Sequence, residues 1–250
     1  MTNPMVNSTS DLSLTPPDDE ASATLLYNLL QEIEQASSAP KLAQAVQNLA
    51  DQKLVGGIGA LIEALSYNNP GAAVAAVDGL VKLGKIAVAP LLEKLDGHNY
   101  SARAWAIRAI ALLGDPRGLD TLLQALREDF ALSVRRAAAK GIGAIHWSEI
   151  PASERYNAQS QAFVTLRDGL KDEEWVVRYA VVVGLQLLAV AVATDQETSH
   201  ANAQQELLTS IHHELNALIA TEPEVAVKAR LTLAVEVVKS LTFDDDHRGD

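Results

Sequence analysis

The stretch VRRAAAKGIGAI, residues 134–145, decides the fold, because its apolar residues repeat at the spacing of one helix face. From Val134, apolar or small residues follow 4, 7, 8 and 11 positions later, which is the periodicity of an amphipathic α-helix. The same five-point pattern occurs five times and begins at Ala72, Ala102, Val134, Val177 and Val227. Its third point is always small, at Gly79, Ala109, Gly141, Gly184 and Ala234. Because a small residue lets a neighbouring helix approach closely, the pattern predicts five helices packed in one repeated arrangement, an α-helical solenoid.

Each of these helices is preceded by a second apolar pattern, so every unit is predicted to be a helical hairpin. The preceding helices are marked by Leu61-Ile62-Leu65, Leu91-Leu92-Leu95, Leu122-Leu123-Leu126, Leu166-Leu170 and Leu215-Ile219. Two further helices, near 21–36 and 40–51, are expected to form an N-terminal cap. The sequence therefore predicts an all-α solenoid of about five hairpins plus this cap over residues 21–242.

The two ends of the chain and two internal segments depart from the repeat. Residues 1–20 are rich in Ser, Thr, Asn and Pro and are predicted to be a disordered tail, and the acidic residues 243–250 a second one. Successive small positions are 30, 32, 43 and 50 residues apart, which indicates insertions near 148–160 and 190–206. These insertions are either tolerated surface loops or segments that rim a binding surface.

Composition excludes several classes of function. The chain has no cysteine and six histidines, of which only His212 and His213 are close together, so no metal site is expected. A net charge of −12 opposes nucleic-acid binding. No secretory signal is present, and the apolar run Val181–Val192 is too short to span a bilayer. We expect a cytoplasmic protein without nucleic-acid or membrane partners, and no catalytic residue can be assigned.

The cations are concentrated in the middle of the chain. Residues 101–147 hold seven cations and four acids, which favours contact with an anionic group. A cation follows the first point of four of the five patterns, at Arg103, Arg135, Arg178 and Lys228. Each of these can pair with an acid or a carbonyl of the adjacent unit. Arg135, Arg136 and Lys140 together exceed the nearby acids, and so predict a site for a carboxylate or phosphate.

Aromatic residues make up only 4% of the chain, and several are predicted to lie at the ends or non-core faces of the second helices. These are Tyr100, Trp105, Trp147, Trp175 and Tyr179. Exposed Trp or Tyr beside Arg suits a flat conjugated ligand or a protein hot spot, and packing against the neighbouring helix is the alternative. The candidate ligand-binding residues are therefore Arg135, Arg136, Lys140, Arg103, Trp105 and Tyr100.

Three segments, residues 103–109, 114–119 and 133–143, resemble the HEAT-repeat family of cyanobacterial phycobilin lyases. The resemblance covers roughly residues 55–190. It implies a HEAT-like fold and the handling of open-chain tetrapyrroles. It also implies attachment of these bilins to phycobiliprotein subunits, or their removal, often by a heterodimer of two related chains. The tandem tryptophans and the His-Cys pair of some members are absent, although His98-Asn99-Tyr100 stands near their expected place.

Two hypotheses follow from this resemblance. In the first, the chain transiently binds a bilin such as phycocyanobilin, or a phycobiliprotein subunit, with no tightly bound cofactor. Arg135, Arg136 and Lys140 then face the propionates, Trp105 stacks on the ring system, and any enzymatic activity is that of a bilin lyase. In the second, the chain is a non-catalytic scaffold that recognises a protein, for example an adaptor in phycobilisome degradation or, with an iron-sulfur carrier, in cluster assembly.

Overall fold

The computed structural model describes residues 20–95, 100–195 and 200–243, and within these ranges the chain is helical and contains no strand. The predicted tails lie outside the described residues, apart from Glu20 and Phe243. Twelve α-helices are present in the described part: α1 (Glu20–Glu34), α2 (Ala39–Gln52), α3 (Ile58–Ala64), α4 (Pro70–Leu83), α5 (Val88–Glu93), α6 (Tyr100–Leu113), α7 (Leu119–Glu128), α8 (Leu132–Gly143), α9 (Ala152–Gly169), α10 (Trp175–Ala193), α11 (Ala201–Ile219) and α12 (Val225–Phe243).

The helices form the predicted two-layer solenoid. Each odd-numbered helix packs on the even-numbered helix that follows it, as a hairpin. The even-numbered helices pack side by side in chain order, from α2 to α12, and we call them the second-helix layer. The predicted cap corresponds to α1 and α2, and the five predicted units correspond to the remaining five hairpins. The all-α solenoid is therefore confirmed.

The helices begin and end where the sequence places helix-breaking residues. Asn69 caps α4, since its side chain accepts a hydrogen bond from the Ala72 N–H at 3.1 Å. The same amide donates to the Ala39 carbonyl at 2.8 Å and so fixes α4 against the start of α2. Gly114 ends α6 in the left-handed region with φ +62°. These turns set the angle between successive hairpins.

The small third position of each pattern is where neighbouring second helices meet. A Cβ added at Gly79 would lie 2.7 Å from the Cβ of Ala50 on α2, and one at Gly141 would lie 2.5 Å from the Cβ of Ala111 on α6. Ala109 and Ala234, which fill the same position in α6 and α12, are fully buried. The predicted close approach of the second helices is therefore confirmed, and it leaves no room for a larger side chain.

The two insertions lengthen helices, so a surface-loop interpretation is wrong for most of their described residues. Residues 152–160 form the first half of α9. The second insertion, near 190–206, extends α10 to Ala193 and begins α11 at Ala201, with residues 196–199 outside the described part. The longer helices meet through an ion pair of Arg155 with Asp195 at 2.5 Å. Such cross-contacts offset the entropy of ordering the added residues.

The length argument against a membrane span is also wrong, because the apolar helix is longer than the run Val181–Val192. Helix α10 has 19 residues, and it is the one helix in the described ranges whose length and composition would allow it to cross a bilayer. Half of that stretch is buried inside the fold. The physical reason for its apolarity is its position, since it packs between α8 and α12 and against α9.

Candidate functional site

The free face of the second-helix layer carries a groove of about 680 Å³ across α6, α8 and α10. Its floor is made of small residues, Ala104, Ala111, Ala137, Gly141 and Ala144. Its apolar wall is made of Leu112, Val183 and Leu187. Small side chains make the floor deep, because the neighbouring helices approach closely there. The groove can therefore hold a flat apolar group between α6 and α10.

Three cations, Arg108, Arg136 and Lys140, lie around this floor, and all three are exposed. No acidic side chain is among the groove-lining residues of the described part. In a chain with a net charge of −12, this arrangement makes the groove a local positive site. Guanidinium and ammonium groups beside an apolar surface are suited to bind carboxylates carried by an apolar ligand.

Trp105 lies in the groove and is partly covered by Arg108. The Arg108 guanidinium carbon is 5.6 Å from the centre of the indole ring, within the range of a cation–π contact. This contact holds the indole and the guanidinium together as one flat unit. The structure thus brings Trp105, Arg136 and Lys140 into one groove, as the sequence predicted, and adds Arg108.

Arg108 was missed as a candidate because it stands outside the Arg135-Arg136 pair. The sequence did contain a signal for it. Arg108 directly precedes the small residue Ala109, as Lys140 directly precedes the small residue Gly141. Equivalent positions on adjacent parallel helices point to the same face, so the two cations share the groove.

Arg135 lies outside this groove, at the edge where the second helices begin. Its guanidinium makes two hydrogen bonds to Asp172, at 2.7 and 3.0 Å, across to the next hairpin. It also donates to the carbonyls of Asp129 and Phe130, each at 2.9 Å. The donors of Arg135 are thus engaged within the fold, which gives it a structural role at the α7–α8 connection.

The pairing of Arg135 is repeated along the edge, as the sequence suggested for the regularly spaced cations. Arg103 bonds Asp129 at 2.8 Å. Arg178 bonds Glu222 at 2.9 and 2.7 Å and also donates to two carbonyls of its own connecting segment. We call these three pairs, Arg103–Asp129, Arg135–Asp172 and Arg178–Glu222, the arginine ladder. It joins hairpins two to five.

The acids of the ladder have altered ionisation. Hydrogen bonds from Arg178 lower the pKa of Glu222 against the effect of burial. At Asp172, burial alone would raise the pKa, but hydrogen bonds from Arg135 and the Glu174 N–H outweigh it and lower the value. Both carboxylates are thus held in the charged form that their arginines require.

Acidification is expected to destabilise the fold. Because the folded pKa values of Asp172 and Glu222 lie below their unfolded values, their contribution is complete above about pH 4.5 and is lost as the pH falls through the folded values. Urea unfolding followed by circular dichroism at pH 7, 5, 4 and 3 measures this loss. An Asp172→Asn variant should show a shallower pH dependence. Equal stability of the native chain at pH 7 and pH 3 would contradict the expectation.

The remaining predicted aromatic residues have different fates. Trp147 is buried, only 4% exposed, so its predicted place on a non-core face is wrong; the turn after α8 folds its indole into the core. Trp175 is 44% exposed and begins α10. Tyr179 is half-buried on α10. Tyr100 begins α6, but its side chain lies outside the described part, as do His98 and Asn99.

Comparison with known proteins identifies the class of this solenoid and then its family. A family description of HEAT repeats matches residues 88–186. A protein named phycocyanobilin lyase subunit beta from Pseudanabaena tenuis is 50% identical over 228 residues, which cover 89% of this chain and 78% of that protein. The phycocyanin alpha phycocyanobilin lyase CpcF of a Synechocystis species is 43% identical over 211 residues, covering 84% of this chain and 93% of that protein.

Solved structures give the same result. A chain in the complex of CpcE and CpcF of phycocyanin lyase from Nostoc sp. PCC7120 is 43% identical, with a TM-score of 0.64, and the match covers 72% of this chain and 98% of that chain. An engineered protein that is 17% identical, with a TM-score of 0.53, shares the fold alone. This chain is a HEAT-repeat protein, and it belongs to the cyanobacterial phycobilin lyase family. The family resemblance of the sequence is thereby confirmed.

Proposed function

We propose that this chain is the β-type subunit of a phycobilin lyase, which holds phycocyanobilin in the groove while the bilin is attached to a phycobiliprotein subunit. The observation that carries the proposal is the groove itself, where Arg108, Arg136 and Lys140 surround an apolar floor without an acidic neighbour among the described lining residues. The relatives named as phycocyanobilin lyase subunits support it.

The chemistry of a bilin fits this groove. An open-chain tetrapyrrole is a flat conjugated chain that carries two propionate groups. The cations would bind the propionates by charge-assisted hydrogen bonds. The wall of Leu112, Val183 and Leu187 would contact the pyrrole rings, and the Trp105–Arg108 pair would offer a flat face for stacking. In this proposal Arg103 and Arg135 hold the rim of the groove and do not bind the bilin.

The covalent step needs no thiol from this chain, which has no cysteine. The thiol of the acceptor phycobiliprotein adds across the ethylidene double bond of the bilin. A carbon–sulfur bond forms, the thiol proton ends on the bilin, and no group leaves. The role of the groove is to hold the reactive carbon beside the acceptor sulfur and so raise its effective concentration. The companion subunit, as in the CpcE–CpcF complex, would complete the enclosure.

Removal of two groove cations is expected to weaken bilin binding. We expect Arg136→Ala with Lys140→Ala to raise the Kd for phycocyanobilin by about tenfold or more, because each charged hydrogen bond contributes about 1.5 kcal/mol or more. Absorbance titration with phycocyanobilin measures the change. The matched control is Arg167→Ala with Lys171→Ala, which removes the same charge from α9 and its end, outside the groove.

Two results would contradict the proposal. The first is an unchanged bilin spectrum in the presence of the native chain. The second is equal affinity of the groove variant and the control. An unchanged spectrum, together with specific binding of a purified phycobiliprotein subunit, would favour the scaffold hypothesis, in which the chain acts as an adaptor.

A further inference from the structure

A row of exposed apolar side chains follows the edge at which the second helices begin. The first residue of α8 is Leu132, that of α10 is Trp175 and that of α12 is Val225. These side chains are 41%, 44% and 77% exposed, and Phe130, two residues before Leu132, is 67% exposed. We call these four residues the ridge. Large apolar groups at the same position of three successive hairpins form one continuous apolar strip on a surface that is otherwise polar.

The ridge is held rigid by the arginine ladder beneath it. Arg135 binds the carbonyl of Phe130, and the Arg103 guanidinium carbon lies 5.6 Å from the centre of the Phe130 ring. Arg178 donates to the Asp172 and Glu173 carbonyls just before Trp175. Because these segments are fixed before any partner arrives, little conformational entropy remains to be lost on binding.

The charge around the ridge has the opposite sign to that of the groove. The segments 128–131, 171–174 and 221–224 contain seven acids and one lysine. Three of the acids are neutralised by the ladder arginines. Four acids remain, Glu128, Glu173, Glu174 and Glu224, against Lys171 and, one turn into α12, Lys228. The surroundings of the ridge are therefore negative, and they favour a partner whose apolar strip is flanked by Lys or Arg.

A second copy of this chain does not fit the ridge, because it would bring the same acidic surroundings against each other in a protein of net charge −12. The strip spans three helices, about 16–20 Å at the usual distance of 8–10 Å between packed helices. A second layer of helices of similar width matches this length. An apolar strip with an exposed tryptophan is also typical of a lasting interface, whereas the charged groove suits a transient ligand.

We propose that the ridge is the docking surface for the companion subunit of the lyase, through an apolar strip flanked by basic residues. This inference rests on the proposed function. Since the ridge lies at the helix starts and the groove on the helix faces, companion and bilin bind at the same time.

The test measures binding of purified CpcE from the Nostoc sp. PCC7120 complex by isothermal titration calorimetry. The ridge variant combines Leu132→Ser, Trp175→Ala and Val225→Ser. The matched control combines Ile86→Ser and Val164→Ser, which are 44% and 45% exposed elsewhere on the surface. We expect the ridge variant to bind CpcE at least about 30-fold more weakly, as loss of a hot spot does, and the control to bind as the native chain does.

Charge reversal tests the stated chemistry of the partner. Glu173→Lys with Glu174→Lys should slow association with CpcE and reduce its dependence on salt, because attraction to basic residues is lost. Circular dichroism and the phycocyanobilin titration of each variant establish that the fold and the groove are intact.

The outcomes separate this inference from the proposed function. If the ridge variant and the control bind CpcE equally, the ridge inference is overturned, while bilin binding by the native chain still supports the proposed function. If the ridge variant keeps CpcE but loses a phycocyanin α subunit, the ridge serves the acceptor and the inference is again overturned. Failure of the native chain to bind CpcE overturns both the inference and the heterodimeric part of the proposed function.

Discussion

Replacement of Gly141 by leucine is expected to lower the free energy of unfolding by about 3 kcal/mol, near the upper end of the range for overpacked cores. Even a Cβ at this position would lie 2.5 Å from the Cβ and 2.8 Å from the Cα of Ala111. The second of these atoms belongs to the backbone of α6, so a side-chain rotation cannot relieve the clash. Helices α6 and α8 must move apart, and with them the floor of the groove.

Thermal unfolding measures this effect. A loss of 3 kcal/mol corresponds to a Tm lower by about 6–12 °C for a chain of this size. The matched control is Gly59→Leu, since a Cβ at Gly59 meets no atom within 4 Å. Leucine is the better helix former, so the control should change stability by less than about 1 kcal/mol and in the stabilising direction. An unchanged Tm for Gly141→Leu would show that the alignment of the hairpins is wrong.

Replacement of Arg178 by alanine is expected to cost about 3–5 kcal/mol, because it leaves a buried carboxylate without its cation. The side chain of Glu222 is only 1% exposed. It would lose both hydrogen bonds from the guanidinium and would keep the backbone N–H of Glu224 as a donor. The α9–α10 segment would also lose the bonds from Arg178 to its carbonyls.

The pH dependence identifies the cause of that loss. In the native chain the pKa of Glu222 is lowered, so the pair stabilises the fold at neutral pH and loses its effect as the pH falls below about 4. The difference between the native chain and Arg178→Ala should therefore be largest at pH 7 and decrease towards pH 3. Urea unfolding at several pH values gives this difference directly.

Two further variants complete the test of the ladder. Arg167→Ala removes an exposed pair with Asp168, 3.5 Å apart and 39% and 58% exposed, and should cost less than about 1 kcal/mol. Arg178→Met with Glu222→Leu removes both charges and should recover most of the stability lost in Arg178→Ala. Equal losses for Arg178→Ala and Arg167→Ala would rule out the buried pair as the cause.

Much of the candidate site could be predicted because it follows the repeat. The position directly before the small residue places Arg108, Lys140 and Val183 in the same groove. The ladder has its own spacing, since Asp129, Asp172 and Glu222 each precede the next regularly spaced cation by six residues. Local patterns of this kind persist because each hairpin contacts its neighbours in the same way.

The division of work between Arg135 and Arg136 could not be predicted in this way. The two are adjacent in sequence, and adjacent helical residues point in directions about 100° apart. One reaches Asp172, 37 residues later in the chain, while the other lies in the groove. Trp147 follows the same logic, because its burial depends on a turn and on α9, which is longer than the repeat suggests.

The sequence alone determined the all-α solenoid, the register of its hairpins and the face on which the groove cations lie, since helical periodicity and the size of one residue per repeat specify them. Only the tertiary structure decided which cations are consumed by ion pairs, which aromatic residues are buried, and that the insertions are helical. These properties depend on contacts between residues some 30 to 45 positions apart. No local pattern encodes the distance between such side chains until the hairpins have stacked.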